Sequence, residues 1–137
     1  MTAKPSFKAE KSRQISVFVE NRPGTLAAVA TLLGEQKINI YAMTLTGGID
    51  HGYVQLVVDK TAEASALLDQ EGYLSFERDV VLLEIANEPG SLAEVIRQWG
   101  EAKVNIDYAY CAGGPSVERG LVVVRVDDAD RALEVLN

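Results

Sequence analysis

The sequence predicts an α+β protein that contains a β-α-β-β-α-β unit twice, each unit with helices on one face of an antiparallel sheet. The first observation behind this prediction is a repeat: NRPGTL at 21–26 returns as NEPGSL at 87–92. Shifting the chain by 66 positions gives 13 identities over the 28 positions 21–48. The second observation is that strand and helix patterns follow each copy in the same order.

In the first half of the chain, β-branched alternation predicts strands and apolar residues at helical spacing predict helices. Gly-Gly between two alternating segments predicts a hairpin connection. The predicted order is strand 15–20, a helix from Leu26 that ends near Gly34, strands 37–46 and 52–59 around the Gly47-Gly48 turn, helix 61–72 and a strand within 73–79.

The second half repeats this order, which is that of ferredoxin-like split β-α-β folds. The segments are strand 80–86, a helix with the stripe Leu92, Val95, Ile96 and Trp99, strands 103–112 and 120–127, and helix 128–136. In strand 103–112, alternation places Val104, Ile106, Tyr108 and Tyr110 on one face, so we expect both tyrosines in the core.

These patterns assign residues 13–79 to a first unit and residues 80–137 to a second. The sequence stops directly after the last predicted helix, so the second unit lacks a fourth strand. Residues 1–12 could cross over and supply that strand. The alternatives are a disordered N-terminal tail, since termini are often loose, and a chain that has been shortened.

The composition limits the partners and the compartment. A net charge of -7 argues against nucleic acid and anionic membranes as partners, because both attract basic surfaces. No apolar run approaches the ~20 residues of a membrane span, and the N-terminus lacks the apolar core of a signal peptide. The single Cys111 cannot form an internal disulfide, so we expect a reducing cytoplasm.

The repeated phrase lies where the first strand of each unit ends and its first helix begins. Asn21 and Asn87 are of a residue type that caps free helix N–H groups, and proline early in a helix loses no needed donor. Gly24 and Gly90 have no side chain that would block a ligand. With the hydroxyl residue that follows each glycine, the phrase predicts an anion-sized site suited to a carboxylate. The alternative is a tight turn without a ligand.

With these motifs the chain resembles a pair of ACT domains, the small-molecule-binding regulatory modules of amino-acid metabolism. Both ENRPGTLAAVATLLGEQKINI (20–40) and ANEPGSLAEVIRQWGEAKVNI (86–106) follow the family pattern, including the later Asn-Ile pair. The resemblance covers residues 13–137 and implies a free-standing tandem protein with no catalytic domain attached. It also implies that a free amino acid binds at a domain boundary, between the first loop of one domain and the second strand of its neighbour.

Carried onto this sequence, the resemblance implies two sets of ligand-binding residues. They are Asn21, Arg22, Pro23, Gly24, Thr25 and Leu26 with Asn39 and Ile40, and Asn87, Glu88, Pro89, Gly90, Ser91 and Leu92 with Asn105 and Ile106. Arg22 stands where the second unit has Glu88. The two sites therefore cannot favour the same ligand charge, and one of them could be vestigial.

Nothing in the residues indicates catalysis. We expect His51 in a solvated turn and Cys111 in the packing of a strand, and no metal, cofactor or phosphate motif is found. An RNA-binding sheet shares the strand order but needs basic surroundings. We therefore expect a cytoplasmic, non-catalytic, allosteric protein that binds a free amino acid, needs no metal or cofactor, and forms a homodimer. The alternative is a regulatory subunit that docks on a catalytic subunit of amino-acid metabolism.

Overall fold

The computed structural model describes residues 7–136, which form six strands and four helices. In chain order these are β1 (Phe7–Glu20), α1 (Thr25–Glu35), β2 (Ile40–Gly47), β3 (His51–Val58), α2 (Thr61–Gln70), β4 (Ser75–Ala86), α3 (Ser91–Glu101), β5 (Ile106–Ala112), β6 (Arg119–Val126) and α4 (Ala129–Val135). None of the described helices is long and apolar enough to cross a membrane.

The chain divides into two compact units. We call residues 13–78 the N-terminal unit, and residues 79–136 together with residues 7–12 the C-terminal unit. The strand order is β2-β3-β1-β4 in the N-terminal unit and β1-β4-β6-β5 in the C-terminal unit. The pairings of β1 with β3, β2 with β3, β4 with β6 and β5 with β6 are antiparallel. The predicted fold class is confirmed.

Two strands are longer than the sequence pattern indicates. β1 begins at Phe7 rather than at residue 15, and the segments 73–79 and 80–86 join in the single strand β4, which contains no glycine or proline to interrupt it. The first residues of β1 belong to the C-terminal unit, where Phe7 and Ala9 pack against its core. Lys11 Nζ lies 3.0 Å from an oxygen of Asp130 in α4.

The core of the N-terminal unit lies between one face of its sheet and the two helices. Alternate residues of β1 and β3 point to that face, and a stripe along each helix packs onto them. The buried members are Ile15, Val17, Val19, Val29, Leu33, Ile38, Val54, Leu56, Val58, Ala64 and Leu68.

The C-terminal unit has an equivalent core around a fully buried Trp99, which stands where the repeat has Leu33. The Trp99 indole N–H donates to the carbonyl oxygen of Ala132 over 2.8 Å, so the polar atom of this large side chain keeps a partner inside the core. This bond connects α3 to α4, a helix of only 7 residues that begins with an Asp128 side-chain cap.

The two tyrosines of β5 lie on the opposite face of the sheet from the one that strand alternation predicts. A register shift between Ile106 and Tyr108 inserts an extra residue, so Ile106 pairs with Val126 of the core while Tyr108 pairs with Arg125 on the opposite face. Tyr108 and Tyr110 are therefore not part of the core, contrary to the prediction. Burial, and secondarily the neighbouring Tyr108, raises the pKa of Tyr110 well above its usual range.

The first helix of each unit ends on a lysine in the left-handed region. Lys37 has φ 59° and Lys103 has φ 60°, and both follow the helix at equivalent positions of the repeat. In each case the next N–H returns to the last helical turn, from Ile38 to the Leu33 oxygen over 3.0 Å and from Val104 to the Trp99 oxygen over 2.9 Å. The helix-terminating residue is thus Lys37, whereas the sequence suggested Gly34, which lies within α1.

Replacing Lys37 or Lys103 by glycine is expected to raise the free energy of unfolding by about 0.5 to 1 kcal/mol per site. Glycine adopts the left-handed conformation without the Cβ clash, although its greater freedom in the unfolded chain offsets part of the gain. Urea denaturation measures the change. Gln36→Gly is the control, because the neighbouring Gln36 has φ -93° and a glycine relieves no left-handed strain there; equal stabilisation of all three variants would contradict the explanation.

Candidate functional site

Both copies of the repeated phrase form the same loop. β1 ends at Glu20 and α1 begins at Thr25, and β4 ends at Ala86 before α3 begins at Ser91. The residues before the helices, Gly24 and Gly90, have φ 93° and 88°, a conformation that favours glycine, and neither helix has a side-chain cap. The glycine of the phrase therefore sets the path of the chain into the helix.

The asparagines of the phrase do not cap the helices, contrary to the prediction. The Asn21 side-chain amide donates to the carbonyl oxygen of Gly48 over 2.7 Å, and the Asn87 amide donates to that of Gly114 over 2.8 Å. Each amide has a second carbonyl partner, which is Ile49 for Asn21 and Val117 for Asn87. These bonds hold the loop against the β2–β3 hairpin in one unit and the β5–β6 hairpin in the other.

The hydroxyl of Thr25 is also used within the loop. It donates to the Arg22 carbonyl oxygen over 3.1 Å, and the Thr25 N–H points to the same oxygen over 3.4 Å. In the other copy the Ser91 N–H donates to the Glu88 oxygen over 3.2 Å. The loop is therefore a turn closed by its own hydrogen bonds.

A cavity lies between loop and hairpin at equivalent positions of both units. In the N-terminal unit it measures about 260 Å³ and in the C-terminal unit about 500 Å³. We call them the N-terminal and C-terminal loop cavities. The first is lined by Val19, Glu20, Asn21, Arg22, Gly24, Thr25, Leu26, Leu45, Gly47 and Gly52. The second is lined by Ile85, Ala86, Asn87, Glu88, Gly90, Leu92, Ala93, Cys111, Ala112, Gly113, Gly114, Pro115, Gly120, Leu121 and Val122.

The two loop cavities differ in charge. Arg22 Nε and Glu20 Oε2 form an ion pair at 2.6 Å on the rim of the N-terminal cavity, so its charged groups sum to zero. The C-terminal cavity has Ala86 and Glu88 at the same positions and carries one negative charge. The smaller Cys111 in place of Leu45 leaves it more room, and Cys111 is exposed rather than packed as predicted.

The second-strand residues named by the resemblance lie at the other end of each sheet. Asn39 exchanges hydrogen bonds with Asp59, at 2.9 and 3.1 Å, and Ile40 pairs with Val58, whereas the loop cavity adjoins Gly47 at the far end of β2. In the other unit the Asp127 N–H donates to the Asn105 oxygen over 3.2 Å, and Ile106 pairs with Val126. Within one unit the structure therefore does not bring these residues to the loop.

Several lining residues were missed by sequence reasoning, although a signal for them existed. Gly47 and Gly113 match in the repeat and line the two cavities, but their match was used only to place a hairpin turn. His51 opens β3 on the surface, and residues 7–136 contain no group of three metal-ligating side chains.

The comparisons agree with this architecture. A family model described as an ACT domain pair matches residues 11–137. A crystal structure of a protein from Bacteroides thetaiotaomicron superposes with a TM-score of 0.86 at 30% identity, covering 93% of this chain and 88% of that one. None of the curated proteins compared with the chain matches it significantly.

Two solved structures of lower identity share the fold. The ligand-free regulatory subunit of aspartate kinase from Thermus thermophilus has a TM-score of 0.71 at 20% identity, covering 98% of this chain and 96% of that chain. Aspartokinase III from E. coli, in complex with lysine and aspartate, has a TM-score of 0.55 at 15% identity, covering 93% of this chain and 31% of that enzyme.

Replacing Gly52 by alanine is expected to destabilise the N-terminal unit by about 1 to 3 kcal/mol, because overpacking against backbone cannot relax easily. The new Cβ would lie 2.9 Å from the Thr46 carbonyl oxygen. Gly120→Ala is the matched control, since its Cβ would lie 3.5 Å from the Ala112 oxygen, an ordinary contact. Urea denaturation compares the two; equal losses would show that this contact is not what requires glycine.

Proposed function

The chain belongs to the ACT domain family, and from this premise we propose that it is a regulatory, non-catalytic protein that binds a free amino acid in its loop cavities. The observation that carries the proposal is the duplication of the cavity itself: the repeated phrase builds it in both units from equivalent residues. A turn needed only for folding would not have to leave a space of ligand size beside it. We place this role in the cytoplasm, where a free thiol such as Cys111 stays reduced.

The N-terminal loop cavity offers both charges that a zwitterion needs. The guanidinium of Arg22 suits a carboxylate, the carboxylate of Glu20 suits an ammonium group, and Gly24 lets ligand atoms approach the main chain. The C-terminal cavity offers Glu88 without a cation, which favours an ammonium group over a carboxylate. We expect the two cavities to differ in affinity for the same amino acid.

A homodimer is part of the proposal, because Asn39 and Ile40 lie away from the loop of their own unit and a neighbouring copy can bring them to one. β2 is the edge strand of the N-terminal unit and exposes Tyr41 by 53%, Met43 by 42% and Leu45 by 50%. Exposed apolar edge strands commonly pair with another chain.

Sedimentation should therefore show a particle of twice the 14.8 kDa chain mass. Met43→Lys places a charge on this edge and is expected to shift the particle toward the monomer. Thr31→Lys, on the exposed side of α1, is the charge control and should leave the mass unchanged. A wild-type monomer at tens of micromolar would contradict the dimer.

The amino-acid prediction is tested with cavity-filling variants that spare the backbone. Gly24 and Gly90 are unsuitable, because any side chain is strained at their φ values. A Cβ on Gly47 or Gly113 would meet no atom closer than 3.9 or 3.8 Å, so Gly47→Leu and Gly113→Leu fill one cavity each without a clash at Cβ. A thermal-shift screen of the twenty amino acids, begun with lysine and aspartate, identifies the ligand.

At a hundredfold excess over its Kd, a ligand should stabilise the wild type by about 2.7 kcal/mol. The stabilisation should disappear in the variant whose cavity is the true site and persist in the other. If the folded double variant keeps the full shift, the loop cavities are not the site.

The docking role remains the second candidate, favoured by the match to a separate regulatory subunit of aspartate kinase over nearly its whole length. Pull-down from native lysate with and without the identified amino acid tests it. Capture of a catalytic subunit of amino-acid metabolism supports docking, and ligand binding without such capture leaves amino-acid sensing as the sole role.

A further inference from the structure

The N-terminal unit contains another cavity on the opposite side of its loop. It measures about 450 Å³ and lies between the loop and the turn that connects α2 to β4. We call it the turn cavity. It is lined by Phe18, Val19, Glu20, Arg22, Pro23, Gly24, Thr25, Ala28, Gly72, Tyr73 and Leu74, and by none of the hairpin residues of the loop cavity.

The turn cavity exists because β1 extends beyond its partner β4. The Phe18 N–H donates to the oxygen of Leu74, the residue directly before β4, over 2.9 Å, and Gly72, two residues earlier in the chain, turns it with φ 86°. β1 continues to Glu20, which pairs with His51 of β3. N–H groups of successive strand residues point in alternating directions. The Glu20 N–H therefore points to the same side as the Phe18 N–H, toward the turn cavity.

One wall of the turn cavity is apolar. Phe18 and Tyr73 are half-buried there, and the Phe18 ring lies 4.3 Å from that of Tyr53. Leu74 is 66% exposed, an unusual exposure for a leucine that lines a cavity. A bound apolar group would remove these surfaces from water.

The opposite end of the turn cavity is polar and carries one negative and one positive side chain. The Glu20–Arg22 ion pair, at 2.6 Å, has two largely exposed members, so either can exchange its partner for a ligand group without leaving a buried charge. The repeat shows that this composition is particular to the N-terminal unit. In the other copy the equivalent residues are Ala86, Glu88 and Glu94, in place of Glu20, Arg22 and Ala28. The net charge of these three positions is therefore zero in the N-terminal unit and -2 in the C-terminal unit.

From this juxtaposition we propose that the turn cavity is a second ligand site, specific for an α-amino acid with a large apolar side chain. The ligand carboxylate binds the Arg22 guanidinium and the Glu20 N–H, its ammonium group binds the Glu20 carboxylate, and its side chain covers Phe18, Tyr73 and Leu74. The ligand class rests on the proposed function, but the location does not: it follows from the apolar wall of Phe18, Tyr73 and Leu74, which the loop cavity lacks. Because Glu20 and Arg22 line both cavities, a ligand in the turn cavity excludes one in the loop cavity of the same unit.

The location is tested with L-phenylalanine as the probe and backbone amide chemical shifts of the full chain as the readout. Millimolar probe should shift the amides of Gly72, Tyr73 and Leu74, which line the turn cavity but not the loop cavity. L-Alanine, which lacks the side chain, and 3-phenylpropanoate, which lacks the ammonium group, should both bind at least about tenfold more weakly. Shifts confined to residues 45–52 would place the probe in the loop cavity and overturn this inference while supporting the proposed function.

A charge variant provides the matched test. Ala28→Glu copies the residue of the other unit into the wall of the turn cavity and should weaken L-phenylalanine binding at least about tenfold by repulsion of the carboxylate. Ala27→Glu, at the neighbouring exposed helix position outside this cavity, should leave the affinity within about twofold. Equal affinities of the two folded variants, or no binding of the probe to the wild type, would overturn the inference whatever the loop cavities bind.

Discussion

The hydrogen bond from the asparagine side chain of the repeated phrase to the hairpin backbone is the interaction on which the site depends. Asn21 donates to Gly48, and Asn87 donates to Gly114, over the same sequence separation of 27 residues. The bond fixes the distance between the strand-to-helix loop and the hairpin, and the loop cavity is the space left between them. Without this bond, the left-handed glycine would still direct the helix, but the start of the hairpin tip would lose its side-chain anchor to the loop.

The fold was predictable because its signals are local and occur twice. The site was only partly predictable, since a lining position is decided by contacts between distant segments. Asparagine suits a helix cap and a hairpin brace equally well, so the role of Asn21 depends on which backbone lies nearby. The extra residue after Ile106 reverses the face of Tyr108, which alternation alone cannot reveal. The left-handed Lys37 carries no glycine signature, and Gly34, which does, lies inside the helix.

The duplicated units have kept their backbone and diverged in charge. The loop geometry, the left-handed residues and the hairpin bonds recur at equivalent positions. The side chains that a ligand would meet do not, since Arg22 stands opposite Glu88 and Leu45 opposite Cys111. This division is typical of a scaffold whose two copies serve different ligand chemistry, because backbone hydrogen bonds determine the shape and the variable side chains determine what the shape accepts.

The asparagine also anchors the tip of the hairpin. Its backbone N–H donates to Asp50 in one unit and to Glu118 in the other, while its side chain reaches the first residues of the same tip. The connection between the strands is longer in the C-terminal unit, yet the anchoring bonds are the same. A length change at the tip can therefore leave the anchoring bonds in place, and the exposed Ser116, which lies outside the cavity lining and accepts no bond from Asn87, marks a position where an epitope or reporter peptide could be grafted.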